Sequence, residues 1–241
     1  MSGFNILPDP NKFRLEPGEL PVTPPVFHPS YGLLYNWYAA TDVRNIAASG
    51  WHLPSEAEYV TLWQYLDPTA GVFLSFTAGG LMKESGYTYW SSPNTGATNT
   101  SGFNGRGSGY RMVAFGIFMS LNTYCYFHIS DDNTPHRVIY LRHNEAFVGR
   151  AATTGMKQSG VSIRFVKDST TLAHGQTGTY TGNDGKVYRA ICIGTQEWLA
   201  DNLAETKYRN GDDIPEVTDN ATWAALNTGA LCAYDNDWNN V

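Results

Sequence analysis

Two short segments near the middle of the chain alternate strictly between apolar and polar positions. In Tyr124–Ser130, Cys125, Phe127 and Ile129 fall on one side, and Tyr124, Tyr126, His128 and Ser130 on the other. In Val138–Arg142, Ile139 and Leu141 share one side while Val138, Tyr140 and Arg142 share the opposite one. A period of two predicts half-buried strands with an aliphatic underside and an outer side rich in tyrosine. A helical period occurs at Tyr59, Leu62, Trp63 and Leu66, spaced i, i+3, i+4, i+7. It is preceded by Ser55-Glu56-Ala57-Glu58, a capping box, and is expected to stop near Asp67-Pro68. Asn183-Asp184-Gly185 predicts a hairpin turn between Thr179–Thr181 and Lys186–Ile193. Asp219 or Asn220 is placed to cap a short helix carrying Trp223 and Leu226.

Between these elements the chain is punctuated by turn formers. Short elements are expected at Gly79–Lys83 and Tyr87–Ser92, followed by a loop rich in glycine and asparagine up to Arg111. The spaced Gly105, Gly107 and Gly109 are not framed by a strand and an opening helix, which excludes a phosphate-binding loop. Residues 1–29 hold seven of the twelve prolines and read as an extended arm or linker.

Composition narrows the class. With 42% hydrophobic and 16% charged residues, the 241-residue chain is globular, and 14% aromatics with 24 glycines favour strands and tight turns. A formal charge of −6 without a basic run argues against nucleic acid as a partner. No apolar run approaches the roughly 20 residues that span a bilayer, so no membrane insertion is expected. The N-terminus lacks the basic and apolar regions of a secretion signal, so synthesis in the cytoplasm is expected. Three scattered cysteines (Cys125, Cys192, Cys232) support neither a zinc site nor a disulfide framework.

The segments YGLLYNWYA, GWHLPSEAEY, the GFN…GYR loop, GVSIRFVKD and DGKVYRAICIGTQEWLADNL together resemble the Fibrobacter succinogenes major paralogous domain family across residues 31–238. That resemblance implies an α+β, C-type-lectin-like domain of the formylglycine-generating-enzyme type, with two helices and small twisted antiparallel sheets. The order of segments departs from the family, whose first segment resembles residues 184–203 here. A circular permutation is the expectation, with a domain swap as the alternative. The resulting division is an arm at 1–29 and one domain at 30–241, made of 30–168, a connector at 169–177, and 178–241. Family members often carry cysteines where this chain has Ala47–Ser49 and Phe165.

The resemblance also implies that the region between GYR and GVSIRFVKD faces a ligand, and that it is the stretch rewritten in proteins diversified by retroelements. The expected ligand-binding set is therefore the outward Tyr124, Tyr126, His128, Ser130, Tyr140 and Arg142, extended by loop residues Asp131, Asp132, Asn133, His143, Asn144, Glu145 and Phe147. Tyrosine and arginine offer large contact areas with few torsions to freeze. The expected partner is a cell-surface protein or glycan, and the expected setting is a phage tail or similar particle, as a homo-oligomer or particle component. A purely structural or adaptor module is the alternative. Asp235, Asp237 and Asn239 have oxygen ligands at calcium-loop spacing but no closing glutamate or turn glycine, so a solvated tail is favoured over calcium, and no cofactor is expected. No cysteine pair supports the chemistry of the formylglycine-generating relatives. His52 with Glu56 or Glu58 is a poor acid–base pair because those carboxylates cap a helix, so no enzymatic activity is expected.

Overall fold

The capping box at Ser55 forms as the sequence predicts and starts the longest helix among the described residues. The structure, a computed structural model, describes residues 26–152 and 155–241. Most of the expected N-terminal arm lies outside the described residues. Ser55 accepts from the Glu58 amide, the Glu58 carboxylate accepts from the Ser55 amide, and helix α2 runs over Glu56–Leu66 with Tyr59, Leu62 and Trp63 buried. The other helices are single turns: α1 (Trp37–Ala40), α3 (Ala78–Met82) and α4 (Asn220–Ala224), the last capped by Asp219.

Thirteen strands form three sheets among the described residues. The smallest pairs β1 (Leu34–Tyr35) with β13 (Leu231–Cys232). The second contains β2 (Trp51–His52), β9 (Val166–Lys167), β10 (Thr177–Thr181), β11 (Val187–Ile193) and β12 (Gln196–Leu199), ordered β10-β11-β12-β9-β2. The third contains β3 (Leu74–Ser75), β4 (Ser108–Arg111), β5 (Phe118–Leu121), β6 (Tyr124–His128), β7 (Arg137–Arg142) and β8 (Val148–Ala152), ordered β3-β8-β7-β6-β4-β5. All pairings in these sheets are antiparallel except that of β4 with β6. The predicted hairpin at Asn183–Gly185 joins β10 to β11, with Gly185 at φ 87°. Tyr87–Ser92 is irregular.

This architecture corrects the α+β, two-helix, lectin-like expectation. The fold is mainly β, a curled antiparallel arrangement in which, among the described residues, only helix α2 exceeds five residues. The physical reason lies in the sequence: beyond Leu66 no apolar 3.6-residue period persists for more than one turn, whereas glycines, asparagines and alternating segments recur.

One aromatic core joins α2 to the two larger sheets. Tyr59 and Trp63 from the helix, Phe127 and Ile139 from the third sheet, and Ile191 and Trp198 from the second sheet are all buried together. Tyr59 and Trp198 meet at 4.9 Å between ring centroids. The second sheet is buried on its other side as well, where its Tyr180 and Tyr188 pack with Tyr35, Phe165 and Leu203. Two buried arginines bind distant segments of backbone. Arg164 donates to the carbonyls of Phe103, Leu199 and Asn104 and to Asn202 Oδ1, at 2.7–2.8 Å. Arg111 donates to the carbonyls of Gly116, Val217 and Thr218 and to Asn220 Oδ1. Satisfying buried donors in this way avoids leaving charge without partners.

The 169–177 connector does not join neighbouring strand ends, because β11 and β12 lie between β9 and β10. At the other junction, Tyr31 N donates to Asn240 O at 3.0 Å, so the final turn packs against the entry to β1.

Candidate functional site

The register of the third sheet turns the alternation of the sequence into a ladder of rings. Tyr110 pairs with Met119 across β4 and β5, Tyr126 with Tyr140 across β6 and β7, Tyr140 with Gly149 across β7 and β8, and Gly149 with Leu74. The parallel pairing of Gly109 with Cys125 brings Tyr110 beside Tyr126 on the same face. The row Met119, Tyr110, Tyr126, Tyr140, Gly149, Leu74 thus crosses all six strands. Beneath it Cys125, Phe127, Ile139 and Leu141 are fully buried, as the alternation requires.

Ring contacts tie the row together. Tyr110 meets Tyr126 edge-on at 5.2 Å, Tyr124 stacks on Tyr126 at 5.6 Å with 4° between planes, and Tyr126 meets Tyr140 at 6.0 Å. Phe147 lies 5.2 Å from Tyr140, and Phe76, itself 74% exposed, lies 6.2 Å from Phe147. Gly149 is required here. A Cβ at that position would come within 2.4 Å of the Phe147 ring, so the glycine leaves room for the ring to continue the row. Burial, and then the neighbouring phenols of Tyr110 and Tyr124, push the Tyr126 phenol well above its ordinary value. Tyr124, Tyr126, Tyr140, Arg142 and Ala151 line a cleft of about 200 Å3.

The β7–β8 turn beside the row is anchored by Lys83, a fully buried lysine whose Nζ donates to the carbonyls of Thr95, Arg142 and Glu145 at 2.8–3.0 Å. Burial lowers its pKa to about 8. The backbone of Gly79 touches the Phe147 carbonyl so closely that a Cβ would lie 2.0 Å away. Together these contacts fix the turn between β7 and β8. Arg142 sits over Tyr140 at 5.4 Å, donates to its hydroxyl at 3.2 Å, and pairs with Glu145 at 3.3 Å. His143 Nδ1 lies 3.0 Å from Ser92 O, and Asn144 is exposed.

The structure divides the thirteen sequence-derived positions into two ends. Tyr124, Tyr126, Tyr140, Arg142, His143, Asn144, Glu145 and Phe147 gather on or beside the ring row. Ser130, Asp131, Asp132 and Asn133 lie in the connection from β6 to β7, which antiparallel pairing puts at the opposite end of the strands. Asp131 accepts from the Glu56 amide at 2.7 Å at the start of α2, and Asp132 pairs with Lys157.

His128 is the main correction within this set. Alternation puts it outward, yet it is fully buried, with Nε2 3.0 Å from the Tyr35 carbonyl. Its cross-strand neighbour Val138 is buried beneath Met156 and Val161, so residues 155–161 cover that end of the face. His136, 4% exposed, lies 5.7 Å from His128 and 5.3 Å from Trp37. Neither His136 nitrogen nor His128 Nδ1 has a partner among the described residues. Burial, and then the charge of a neighbour, lowers both: His128 to about 3 beside His136, and His136 to about 4 beside Lys157.

Sequence reasoning missed Tyr110, Met119, His136 and Lys83. The polar–apolar sequence Ser108-Gly109-Tyr110-Arg111 could have exposed Tyr110 as a strand position, but Lys83, between Met82 and Glu84, carries no such signal.

The remaining candidates resolve into structural contacts. His52 bridges Glu58 at 2.8 Å and Asp168 at 2.6 Å, while Glu56 pairs with Arg137 and Arg150. Partial burial opposes a charge on His52, but hydrogen bonds to Asp168 and Glu58 hold its pKa above the ordinary value. Asp237 accepts from the amide and side chain of Asn239, and Asp235 is exposed. Among the described residues no group of three His, Cys, Asp or Glu side chains is placed to hold a metal ion, and no helix is long and apolar enough to cross a membrane. Cys125, Cys192 and Cys232 are free and buried.

No curated protein and no solved structure matches the chain. The Fibrobacter succinogenes major domain matches residues 24–167, more than half of the chain and all six strands of the ring-bearing sheet, and the protein belongs to that family.

Proposed function

We propose that the outer face of the six-stranded sheet is a recognition surface for a protein or glycan displayed on a cell, carried by this chain as a non-catalytic binding module of a phage tail or comparable particle. The observation that carries the reading is the ring row itself. Tyr124, Tyr126, Tyr140, Arg142 and Phe147 stay half-exposed above a fully apolar underside. Large half-exposed rings beside an arginine are the composition of binding hot spots, and their substitution leaves the buried face untouched. The exposed Phe73 and Phe76 extend the apolar surface past β3. The particle-borne setting rests on the family resemblance.

The test is binding of fluorescently labelled protein to a panel of intact cells, read by cytometry. At least one cell type is expected to bind, with about tenfold weaker binding for Tyr140→Ala or Arg142→Ala. A melting scan confirms that each variant is folded. Binding by folded variants equal to that of the parent, or no binding to any cell, overturns the reading.

A further inference from the structure

A second concavity, of about 420 Å3, lies off the ring row, between α1, the β6–β7 connection and the 155–161 cover. Its walls include Tyr38, Asn133, Thr134, Lys157 and Gln158, with His136 in its lining. The volume falls within the range of small-molecule sites, about 300–1,000 Å3. Backbone contacts fix its frame. Trp37 N donates to Lys157 O at 2.8 Å, Trp37 Nε1 to Ile129 O at 3.0 Å, Gln158 N to Gly155 O at 3.1 Å, and Trp223 Nε1 to Gln158 O at 3.0 Å.

The chemistry of the lining selects the ligand by elimination. Lys157 has its ammonium paired with Asp132 and held 4.1 Å over the Trp37 ring, so its charge is already matched. An anion finds no free cation here, and a cation meets Lys157 before any unpaired carboxylate. The side chains of Tyr38, Asn133, Thr134 and Gln158 make no hydrogen bond to another described residue. A purely apolar ligand would strip these groups of water without replacing it. Each carboxamide offers a donor and an acceptor together, and each hydroxyl does the same. Vicinal hydroxyls match such a lining, since every one both gives and takes a hydrogen bond.

We propose that this concavity binds a neutral, hydroxyl-rich ligand, a saccharide unit held by the Asn133 and Gln158 carboxamides and the Tyr38 and Thr134 hydroxyls. It is a site separate from the ring row and does not depend on what the row binds.

The test is titration of the whole protein with methyl glycosides of glucose, galactose, mannose and N-acetylglucosamine, followed by amide chemical shifts. At least one glycoside is expected to bind in the millimolar range, with shifts centred on Asn133 and Gln158. Asn133→Ala and Gln158→Ala should each weaken it about tenfold, while Tyr87→Ala, at an exposed side chain outside both sites, leaves it unchanged. Three results overturn the proposal: no glycoside shifts these residues; inorganic phosphate binds there more tightly than any glycoside; or both carboxamide variants, shown folded by their spectra, bind as the parent does. Loss of cell binding in the ring-row variants bears only on the ring row.

Discussion

Acidification should weaken this protein through the His128–His136 pair, and the size of the effect follows from their burial. Both folded-state values lie below the ordinary 6.5, at about 3 and about 4. The unfolded chain therefore takes up protons first as pH falls. The stability contributed by keeping the pair neutral is complete above 6.5, declines below it, and stops declining only once the folded pair itself protonates. Each group changes stability by about 1.36 kcal/mol per pH unit in that window. At about pH 5 this amounts to roughly 2 kcal/mol for each imidazole and roughly 4 for the pair, a large share of a typical 5–15 kcal/mol. The assay is urea unfolding at about pH 7.5 and about pH 5, for the parent and for His128→Gln with His136→Gln. Subtracting one from the other removes contributions common to both, including that of His52. The parent should lose roughly 4 kcal/mol more than the double variant over this interval. Equal losses in the two proteins, or ring resonances of His128 and His136 that titrate near 6.5, would refute the reasoning.

Two further outcomes follow from groups described above. Lys83→Met removes the donor to three buried carbonyls at the β7–β8 turn and should lower stability by about 3 kcal/mol, with the largest loss of amide-exchange protection at residues 142–147; unchanged protection there would show that the lysine does not anchor the turn. His52 acts in the opposite sense to the buried pair: its raised value means its stabilisation is present below 6.5 and lost as pH rises through the folded value. His52→Ala should therefore flatten the melting temperature between about pH 6 and 8, and a parent-like slope in that variant would exclude the Asp168–His52–Glu58 contact.

What the sequence revealed was chiefly local. The Ser55 capping box, the stop at Asp67, the Asn183–Gly185 turn and the Asp219 cap each depend on residues within a few positions, and each forms where the local chemistry puts it. The two faces of β6 and β7 were also legible, because a strand with an aliphatic side must bury it. Whether the outer side stays open was not legible. His128 and Val138 share the face of Tyr126 and Tyr140, but residues 155–161 and the Tyr35 carbonyl of β1 close over them, and no local pattern announces that cover. Likewise Asp131–Asn133 and His143–Phe147 looked like one surface because they flank the same strand. β7 carries the chain from one end of the sheet to the other between them. The fold class was misjudged for a related reason: the resemblance supplied two helices, whereas the chain itself sustains a helical period only once.

The two buried guanidiniums set a limit on how the family match can be used. Of the eight hydrogen bonds made by Arg111 and Arg164, five end on Leu199, Asn202, Val217, Thr218 and Asn220, all beyond residue 167. Val166 in β9 likewise has Trp198 as its partner on one side. The matched region therefore does not close its own interior: excised at its own boundary, it would keep both cations while losing most of the oxygens that make them tolerable.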